Sequence, residues 1–480
     1  MSFPFRRAAA TLAGKAALQL SRRLGTGGGT QLPGVVARRV APNVLHELAA
    51  GLPHGVILVT GTNGKTTTAR MIASVLKAAG LQVLHNRAGA NLITGLTATA
   101  VAGADLFGRL RADVGLFETD EAHVPAAIRE TQPRVVLVLN LFRDQLDRYG
   151  EVDTIARKWR AALETLPATS TVVLNADDPA VAYLGDGLAC KVLYYGLQDI
   201  RHGVGAVQHM ADSQFCRRCG TAYVYGPVFY GHVGHYRCPN CGLARPTPDV
   251  RLERLTLSGI GGALLAITDA EGVFDVRLPV PGLYNALNAL AASAVALALA
   301  VPPPTIRHAL ESFTAAFGRI ERIPIAGRDV LMALIKNPVG ASETVRMIVG
   351  TANNPDAHTS AATSADGLPL LNLLVVINDK IADGTDVSWL WDADFEQLGD
   401  QVGHVIVSGT RAADMAVRLK YAGVPPERIE TVPQLGLVLD RVLALQPREQ
   451  PLYLLPTYTA MLELRDELVR RGLVKPFWED

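Results

Sequence analysis

Short apolar runs alternate with helical patterns through the first 180 residues of the chain. The runs are rich in β-branched residues and have the length of buried parallel strands. They occupy 56–60, 82–85, 114–117, 134–139 and 171–174. The stretch 69–79, directly after the first run, carries apolar residues at helical spacing. This alternation predicts a doubly wound α/β sheet, in which ligands bind at the carboxyl ends of the strands.

The first strand breaks into a glycine-bracketed loop that leads into a helix. The loop reads Gly61-Thr62-Asn63-Gly64-Lys65-Thr66-Thr67. Its glycines permit a tight turn with inward backbone N–H groups, and the helix dipole adds positive charge, so the pattern predicts a phosphate-binding loop. A solvent-reaching Lys65 then serves the terminal phosphates, and the Thr66 hydroxyl holds Mg²⁺. The competing interpretation is a plain glycine turn, because Val59 stands where the usual motif has its first glycine.

Polar segments follow the later strands. Glu118-Thr119-Asp120-Glu121 ends the third strand, and carboxylates beside a phosphate loop are placed to complete a Mg²⁺ site. Residues 86–96 are polar and dotted with glycine, which predicts a loop. The fourth strand ends in Asn140 and precedes the highly polar stretch 143–151.

Four of the five cysteines form two CxxC pairs. Cys216 and Cys219 are separated by 18 residues from Cys238 and Cys241. This spacing predicts a four-thiolate zinc ribbon, whose metal is structural because no coordination position stays open. Aromatic residues between the pairs are expected to form the small core of the ribbon rather than a base-stacking platform. Cysteine pairs of this kind also indicate a reducing compartment.

A second alternating pattern begins after residue 319, with apolar runs at 330–335, 371–377, 404–407 and 452–455. It predicts a C-terminal Rossmann-like α/β domain over 319–480. The central domain then spans 54–318, with the zinc ribbon inserted at 208–245. An N-terminal segment, 1–53, precedes it and contains a flexible link at Gly25–Thr30 and Leu32–Gly34.

Composition narrows the class of partner. The 480 residues are 49% hydrophobic and 19% charged, with a net charge of +1, which suits a folded enzyme and argues against nucleic acid as a partner. Met1–Leu24 mixes five basic residues with Ala and Leu at helical spacing, yet Lys15 interrupts its apolar run, so neither export nor a transmembrane segment is expected. It is interpreted as a packed helix with a solvated basic face, the alternative being a helix lying on an anionic membrane.

The chain resembles the MurT family of Mur-ligase-like proteins along almost its whole length. The resemblance rests on Thr60–Thr68, Arg143–Glu151, the CxxC pairs, Lys336–Gly340 and Asn378–Asp392. MurT proteins work with a glutaminase called GatD as lipid II isoglutaminyl synthase. The resemblance thus implies ATP-dependent amidation of the D-glutamate α-carboxylate of the lipid II stem peptide, through an acyl phosphate. It also implies a cytoplasmic protein working at the inner face of the membrane, where lipid II lies.

Specific residue roles follow from the same resemblance. It implies that Lys65, Thr66 and Glu118 hold Mg-ATP, that Asn285 and Asn288 face the adenine, and that Arg319 reaches the phosphates from the hinge between domains. Aromatic residues beside acids in Val387–Phe395 suit a protein interface. There the resemblance makes Asp392 the candidate carboxylate that orients the histidine of the partner's glutaminase site, with Asp386 and Asp394 as alternatives; the competing interpretation is local capping or a salt bridge.

Two departures from amino-acid-adding Mur ligases leave a second metal site open. Those enzymes have a histidine where this chain has Gln145, and a carbamoylated lysine some way beyond it; Lys158 is the nearest lysine but is out of register. An autonomous Mur or folylpolyglutamate-type amino-acid ligase is the first rival interpretation. A non-catalytic zinc-ribbon module that binds nucleic acid is the second.

Overall fold

Two mainly parallel β-sheets lie in successive halves of the chain. The computed structural model describes residues 3–23, 31–86, 89–142, 151–203, 212–314, 320–325, 328–352, 370–445 and 452–474. The larger sheet has nine strands, the smaller has six, and a separate two-stranded hairpin belongs to the cysteine-rich insertion. The α/β fold class predicted from the alternating pattern is therefore confirmed.

Residues 3–311 contain eleven described strands and ten described α-helices. The strands are β1 (Val56–Thr60), β2 (Val83–His85), β3 (Val114–Glu118), β4 (Val135–Val138), β5 (Thr171–Asn175), β6 (Lys191–Leu197), β7 (Val224–Tyr230), β8 (Val233–Arg237), β9 (Val250–Leu257), β10 (Ala263–Thr268) and β11 (Val273–Leu278). The helices are α1 (Phe3–Arg23), α2 (Leu32–Val40), α3 (Val44–Ala49), α4 (Lys65–Ala78), α5 (Ile93–Gly103), α6 (Val124–Thr131), α7 (Glu151–Leu163), α8 (Pro179–Ala182), α9 (Leu283–Ala298) and α10 (Pro303–Glu311).

Strand β1 lies where the order of the large sheet reverses. The order is β11-β10-β9-β6-β5-β4-β1-β3-β2, and β1 pairs in parallel with both β3 and β4. Alternate residues of β1 enter different cores: Ile57 and Val59 pack on the side of α4 and α9, and Val56 and Leu58 on the side of α3 and α5. A crevice forms at the carboxyl end of a strand in this position, because the connections that follow the two adjacent strands leave towards opposite faces of the sheet.

Two segments expected to be loops are helical instead. Leu32–Gly34 is the first turn of α2, which continues to Val40, and the predicted loop at 86–96 ends early because α5 begins at Ile93. One glycine that suggested a loop, Gly34, allows close packing between these helices. A Cβ placed on Gly34 would lie 1.8 Å from the Thr94 carbonyl oxygen, so only glycine permits this approach. Residues 25–30, the other part of the expected link, lie outside the described residues.

The cysteine-rich insertion packs partly on its own core and partly on the central domain. Strands β7 and β8 pair antiparallel. Tyr223 and Tyr236 pack with Cys216 and Cys238 as expected. Phe229 and Tyr230, at the far end of the hairpin, instead join the main core beneath the large sheet. The expectation that all these aromatics form the ribbon core is therefore only half right, because the hairpin is long enough to reach the neighbouring core.

The second half of the chain builds the six-stranded sheet, in the order β12-β13-β17-β14-β15-β16. Its strands are β12 (Ile320–Ile325), β13 (Arg328–Ala333), β14 (Leu371–Val376), β15 (Val402–Ser408), β16 (Ile429–Thr431) and β17 (Leu452–Pro456). Its helices are α11 (Pro338–Ala352), α12 (Ala412–Tyr421), α13 (Leu435–Leu445) and α14 (Tyr458–Arg470). Only the β12–β13 pair is antiparallel. Helix α11 packs against α9 of the central domain, which brings the two sheets' carboxyl ends towards one crevice.

Candidate functional site

The glycine loop after β1 turns sharply at its last glycine. Gly64 has φ of +88° and stands immediately before α4. A Cβ at this position would lie 2.3 Å from the Asn288 side-chain oxygen, which approaches from α9. Glycine is thus required for two reasons: the left-handed backbone and the close contact with Asn288.

Neighbouring strands hold the loop in place. The Asn63 N–H donates to the Asn140 side-chain oxygen at 2.8 Å, and the Asn140 amide donates back to the Asn63 carbonyl at 3.0 Å. The Thr62 hydroxyl donates to the Phe142 carbonyl at 3.0 Å and accepts from the Phe142 N–H at 2.9 Å. Asn337, from the C-terminal domain, donates to the Asn63 side-chain oxygen at 2.9 Å. The loop is therefore preorganised from both domains.

Lys65 is held by an acid instead of extending into solvent. Its ammonium group donates to Glu121 at 2.5 Å and to the Gly61 carbonyl at 2.5 Å, and its side chain is only 12% exposed. The expectation of a solvent-reaching lysine is wrong, because the short helical turn after β3 brings Glu121 over the loop. The indole of Trp159 donates to the Glu121 carbonyl at 2.8 Å and anchors that turn. Burial raises the pKa of Glu121 even though Lys65 opposes the shift.

Glu118 and Thr66 form the second polar pair of the loop. The Thr66 hydroxyl donates to one Glu118 carboxylate oxygen at 3.0 Å. The other oxygen, Oε2, is buried without a hydrogen-bond partner among the described residues. Asn86 fixes the backbone of Glu118 from both sides, accepting from its N–H and donating to its carbonyl at 2.8 Å each. A hydroxyl and a buried carboxylate with a free oxygen are the ligands that Mg²⁺ takes beside a nucleotide, so these residues fit that ion.

A cavity opens beside the loop, between the two domains. The phosphate-binding loop contributes Asn63, Gly64 and Thr67 to the cavity wall, and α9 contributes Asn288. The remaining wall is formed by Asn140, Tyr230, Tyr284, Leu334, Lys336, Asn337, Val339, Gly340, Glu343 and Thr344.

The two asparagines of α9 lie at different positions relative to the cavity. Asn288 lines the cavity, whereas Asn285 lies behind it. Asn285 accepts a hydrogen bond from the Asn288 amide at 3.4 Å and donates to the Pro281 carbonyl at 2.7 Å. We therefore expect Asn288 to contact a bound base and Asn285 to orient Asn288.

Glu343 in α11 is a buried acid of the cavity that nothing in the sequence singled out. Its side chain is 6% exposed, and burial raises its pKa to about 7, with Arg346 opposing the shift. Arg346 itself donates to the backbone carbonyls of Phe229 at 2.7 Å and His202 at 2.9 Å. This arginine therefore ties the C-terminal domain to the central domain beside the cavity. A lone Glu in a helical pattern gives no sequence signal, because its burial depends on elements that are distant in the chain.

Of three further residues considered from sequence, the structure describes only Lys158. Arg319 and Gln145 lie outside the described residues. Lys158 is exposed and lines a surface groove between α6 and α7, which none of the residues 61–67 lines.

The four paired cysteines converge on one point. All four sulfur atoms lie within 4.8 Å of one another, and the pairs Cys216–Cys241 and Cys219–Cys238 are 3.5 and 3.4 Å apart. These distances are far above an S–S bond length of about 2.05 Å. The two CxxC turns repeat each other closely, since Gly220 and Gly242 have φ of +73° and +74°. Four cysteine sulfurs this close together fit Zn²⁺, which four thiolates bind in tetrahedral geometry.

The acidic and aromatic segment after β14 forms a rigid surface feature. Trp391 is exposed and packs on Tyr421, which is also exposed, with ring centroids 5.7 Å apart. Beneath them the buried Arg418 donates to the carbonyls of Leu390 at 2.8 Å and Ala393 at 2.7 Å. Asp392 lies between these two anchored residues. The segment is thus fixed by the fold while its tryptophan faces outward.

The three candidate acids of this segment differ in their surroundings. Asp386 accepts the Ser388 N–H at 2.8 Å, and Asp394 accepts from the Gln397 amide at 2.7 Å. Asp392 is half-buried and closes the short helical turn Ser388–Trp391 through its N–H, which donates to the Trp389 carbonyl at 3.1 Å. It also has a polar contact of its own.

Comparisons with known proteins agree with this arrangement. Residues 59–219 match the Mur ligase middle domain, and residues 334–461 match the MurT ligase C-terminal domain. The chain is 34% identical, over 97% of both lengths, to the MurT subunit of the glutamine-hydrolyzing lipid II isoglutaminyl synthase of Streptococcus pneumoniae. It is 33% identical to the same subunit from Staphylococcus aureus, over 86% of this chain and 87% of that one.

Solved structures show the same fold at lower identity. A pseudomurein peptide ligase type C from Methanothermus fervidus superimposes with a TM-score of 0.67, at 20% identity, over 90% of this chain and 81% of that one. A MurF structure from Acinetobacter baumannii gives 0.63, at 20% identity, over 91% and 81%. The fold is therefore that of the Mur ligases, and the near full-length match to curated relatives shows that the chain belongs to the MurT family.

Proposed function

We propose that this chain is the synthetase subunit of a lipid II isoglutaminyl synthase. It would use ATP to activate the α-carboxylate of D-glutamate in the lipid II stem peptide, and ammonia to convert it to D-isoglutamine. The observation that carries the proposal is the loop of Lys65 and Thr66 with buried Glu118, on a chain that matches a curated MurT subunit over 97% of both lengths.

The chemistry explains why such a site is needed. A carboxylate is a poor acyl donor, so one of its oxygens attacks the γ-phosphorus of ATP and ADP leaves. The nitrogen of ammonia then attacks the carbonyl carbon of the acyl phosphate, phosphate leaves, and the nitrogen loses a proton. Two anions must approach in the first step, which requires fixed cations and N–H donors.

The residues of the loop divide this work. Backbone N–H groups of 65–67, at the amino end of α4, favour phosphate oxygens, and Lys65 adds a full positive charge. Mg²⁺, held by Thr66 and Glu118, would neutralise phosphate charge. We propose that Asn288, supported by Asn285, faces the adenine. Arg319 keeps its proposed role at the phosphates, although it lies outside the described residues.

Ammonia is proposed to come from a GatD-type glutaminase subunit. A glutaminase needs an activated cysteine. The one cysteine outside the zinc cluster, Cys190, is buried, and burial raises the pKa of its thiol, which is the opposite of activation. This favours hydrolysis of glutamine by a separate subunit over hydrolysis by this chain.

The choice of nitrogen donor tests the proposal. We expect the isolated chain, with Mg-ATP and lipid II, to form the isoglutaminyl product with ammonium but not with glutamine. Addition of a glutaminase subunit should make glutamine effective. Mass spectrometry of the stem peptide distinguishes an amide from an added amino acid. Incorporation of an amino acid without any partner would reject the proposal in favour of an autonomous Mur or folylpolyglutamate-type ligase.

The cysteine cluster is proposed to hold a structural Zn²⁺. Structural zinc contributes folding free energy directly, so Cys216→Ser should release the metal and lower the melting temperature. We expect about one zinc per chain in the parent and less than about a tenth of that in the variant, by elemental analysis. Cys190→Ser is the matched control, because Cys190 is also buried but lies outside the cluster. An iron–sulfur absorption spectrum, or equal zinc in both variants, would contradict the assignment.

The protein is proposed to act in the cytoplasm, at the inner face of the membrane where lipid II is found. Within the described residues, no helix combines the length and the apolar character needed to cross a bilayer. The nearly balanced charge, 46 basic against 45 acidic residues, does not favour nucleic acid as a partner.

A further inference from the structure

Helix α1 turns an apolar face towards solvent. Positions 5, 9, 12, 16 and 20 recur every three or four residues and therefore share one side of the helix, and all five are exposed. Phe5 is 72% exposed, Leu12 47% and Leu20 57%. The opposite side carries Thr11 and Gly14 and packs on α2 and α5. A helix on a protein surface normally has the reverse pattern, with its polar residues outward.

A second exposed apolar element lies beside this helix. Leu106 and Phe107, in the turn after α5, are 61% and 73% exposed. The turn contacts α1, because a Cβ built on Gly108 would lie 3.0 Å from the Arg7 side chain and 3.3 Å from the Thr11 hydroxyl. Asp105 stiffens it by accepting the N–H groups of Phe107 and Arg109 at 2.9 Å each. The hydrogen bonds of the turn therefore fix Leu106 and Phe107 in their exposed positions.

Positive charge surrounds these apolar residues. Residues 1–50 contain seven Lys or Arg and a single acid, Glu47, although the whole chain is almost neutral. Arg6 and Arg23 on α1 are exposed, and so are Arg109 and Arg111 beside the turn. Aliphatic and aromatic side chains rimmed by arginines match the two layers of an anionic bilayer surface, namely acyl chains below and phosphate headgroups above.

We propose that Phe5, Leu12, Leu20, Leu106 and Phe107, with the arginines around them, form a surface that binds anionic phospholipid in the plane of the membrane. The inference rests on the proposed function in one respect: a lipid-linked substrate gives the chain a reason to dock there. A bilayer fits better than a protein partner, because four exposed arginines (Arg6, Arg23, Arg109 and Arg111) lie near the apolar residues, whereas the acid of the turn, Asp105, already accepts two backbone N–H groups. The contact would hold the central domain close to the headgroup layer.

Vesicle sedimentation of the full chain tests this surface. We expect the parent to pellet with vesicles of phosphatidylglycerol and phosphatidylcholine, much less with phosphatidylcholine alone, and less at high salt. The double variant Leu12→Ser/Phe107→Ser should bind roughly tenfold more weakly to the anionic vesicles. Val273→Ser is the matched control, since Val273 is 65% exposed on the far edge strand β11 and should leave binding unchanged. Circular dichroism melts check that each variant is folded.

Assays with two substrates distinguish a role in membrane binding from a role in catalysis. The double variant should amidate lipid II in vesicles poorly but a water-soluble stem-peptide analogue at the parental rate. Equal vesicle binding by parent and double variant would overturn the proposal. So would loss of binding to the glutaminase subunit, instead of to vesicles, which would make the face a protein interface. A parent that binds vesicles but amidates neither substrate would reject the proposed function and leave the lipid surface standing.

Discussion

Lys65→Ala is expected to lower ATP-dependent amidation by roughly 10²–10³-fold or more while the chain stays folded. Lys65 is the cation of the phosphate loop, 12% exposed and held 2.5 Å from Glu121. Its loss removes positive charge where negative charge develops during phosphoryl transfer. The stability cost should be small, because the side chain ends in a polar crevice and Glu121, whose pKa burial already raises, can take up a proton.

The measurement is turnover with ammonium as the nitrogen donor, together with a melting curve. Lys158→Ala is the control, since this lysine is exposed on α7, away from the loop, and should keep parental activity. Glu121→Gln keeps the shape of the partner and is expected to lower turnover less than Lys65→Ala, because it disturbs only the orientation of the lysine. Parental turnover in Lys65→Ala would reject the role of the loop in catalysis.

Asp392→Asn is expected to lower glutamine-dependent amidation by about 10²–10⁴-fold and to spare amidation driven by added ammonium. The reason is that a carboxylate hydrogen-bonded to an imidazole holds the catalytic histidine of a Cys-His pair in the reactive orientation. On this proposal Asp392 supplies that carboxylate to the partner subunit. The exposed Trp391–Tyr421 pair beside it suits a protein interface, where tryptophan and tyrosine are enriched.

Both nitrogen donors must be assayed in the reconstituted complex, with binding of the partner measured separately. Asp386→Asn and Asp394→Asn serve as comparison variants, because they remove the two alternative carboxylates of the same segment. If Asp392 only closes its helical turn, ammonium and glutamine activities will change together or not at all. A variant that binds the partner and hydrolyses glutamine at the parental rate would exclude the role, and a selective loss in Asp386→Asn or Asp394→Asn would transfer it to that residue.

Periodicity and local chemistry were sufficient for most of the scaffold. Buried parallel strands are continuous apolar runs, so β1, β3, β4 and β5 could be predicted from the sequence to within a residue or two. The phosphate loop and the cysteine pairs were equally visible, because a turn or a metal knuckle places its residues at short, fixed spacings. Residues 32–34 and 93–96 were mistaken for loops, because a glycine inside a helix, such as Gly34 at its close contact with α5, looks the same in sequence as a glycine in a turn.

Only the tertiary structure could decide which side chains meet across long separations in the chain. In the structure Glu118 bonds to Thr66 and Glu121 bonds to Lys65, although the two acids lie in the same short segment of the sequence. The tertiary structure also buried Glu343 against the central domain, and placed Asn288 over Gly64 with Asn285 behind it. The exposure of the apolar face of α1 also could not be predicted from the sequence. A helical pattern shows which residues share a face, but not whether that face points to the core or to solvent. Local spacing is encoded by neighbouring residues, whereas burial, pairing and exposure depend on what the rest of the chain packs against.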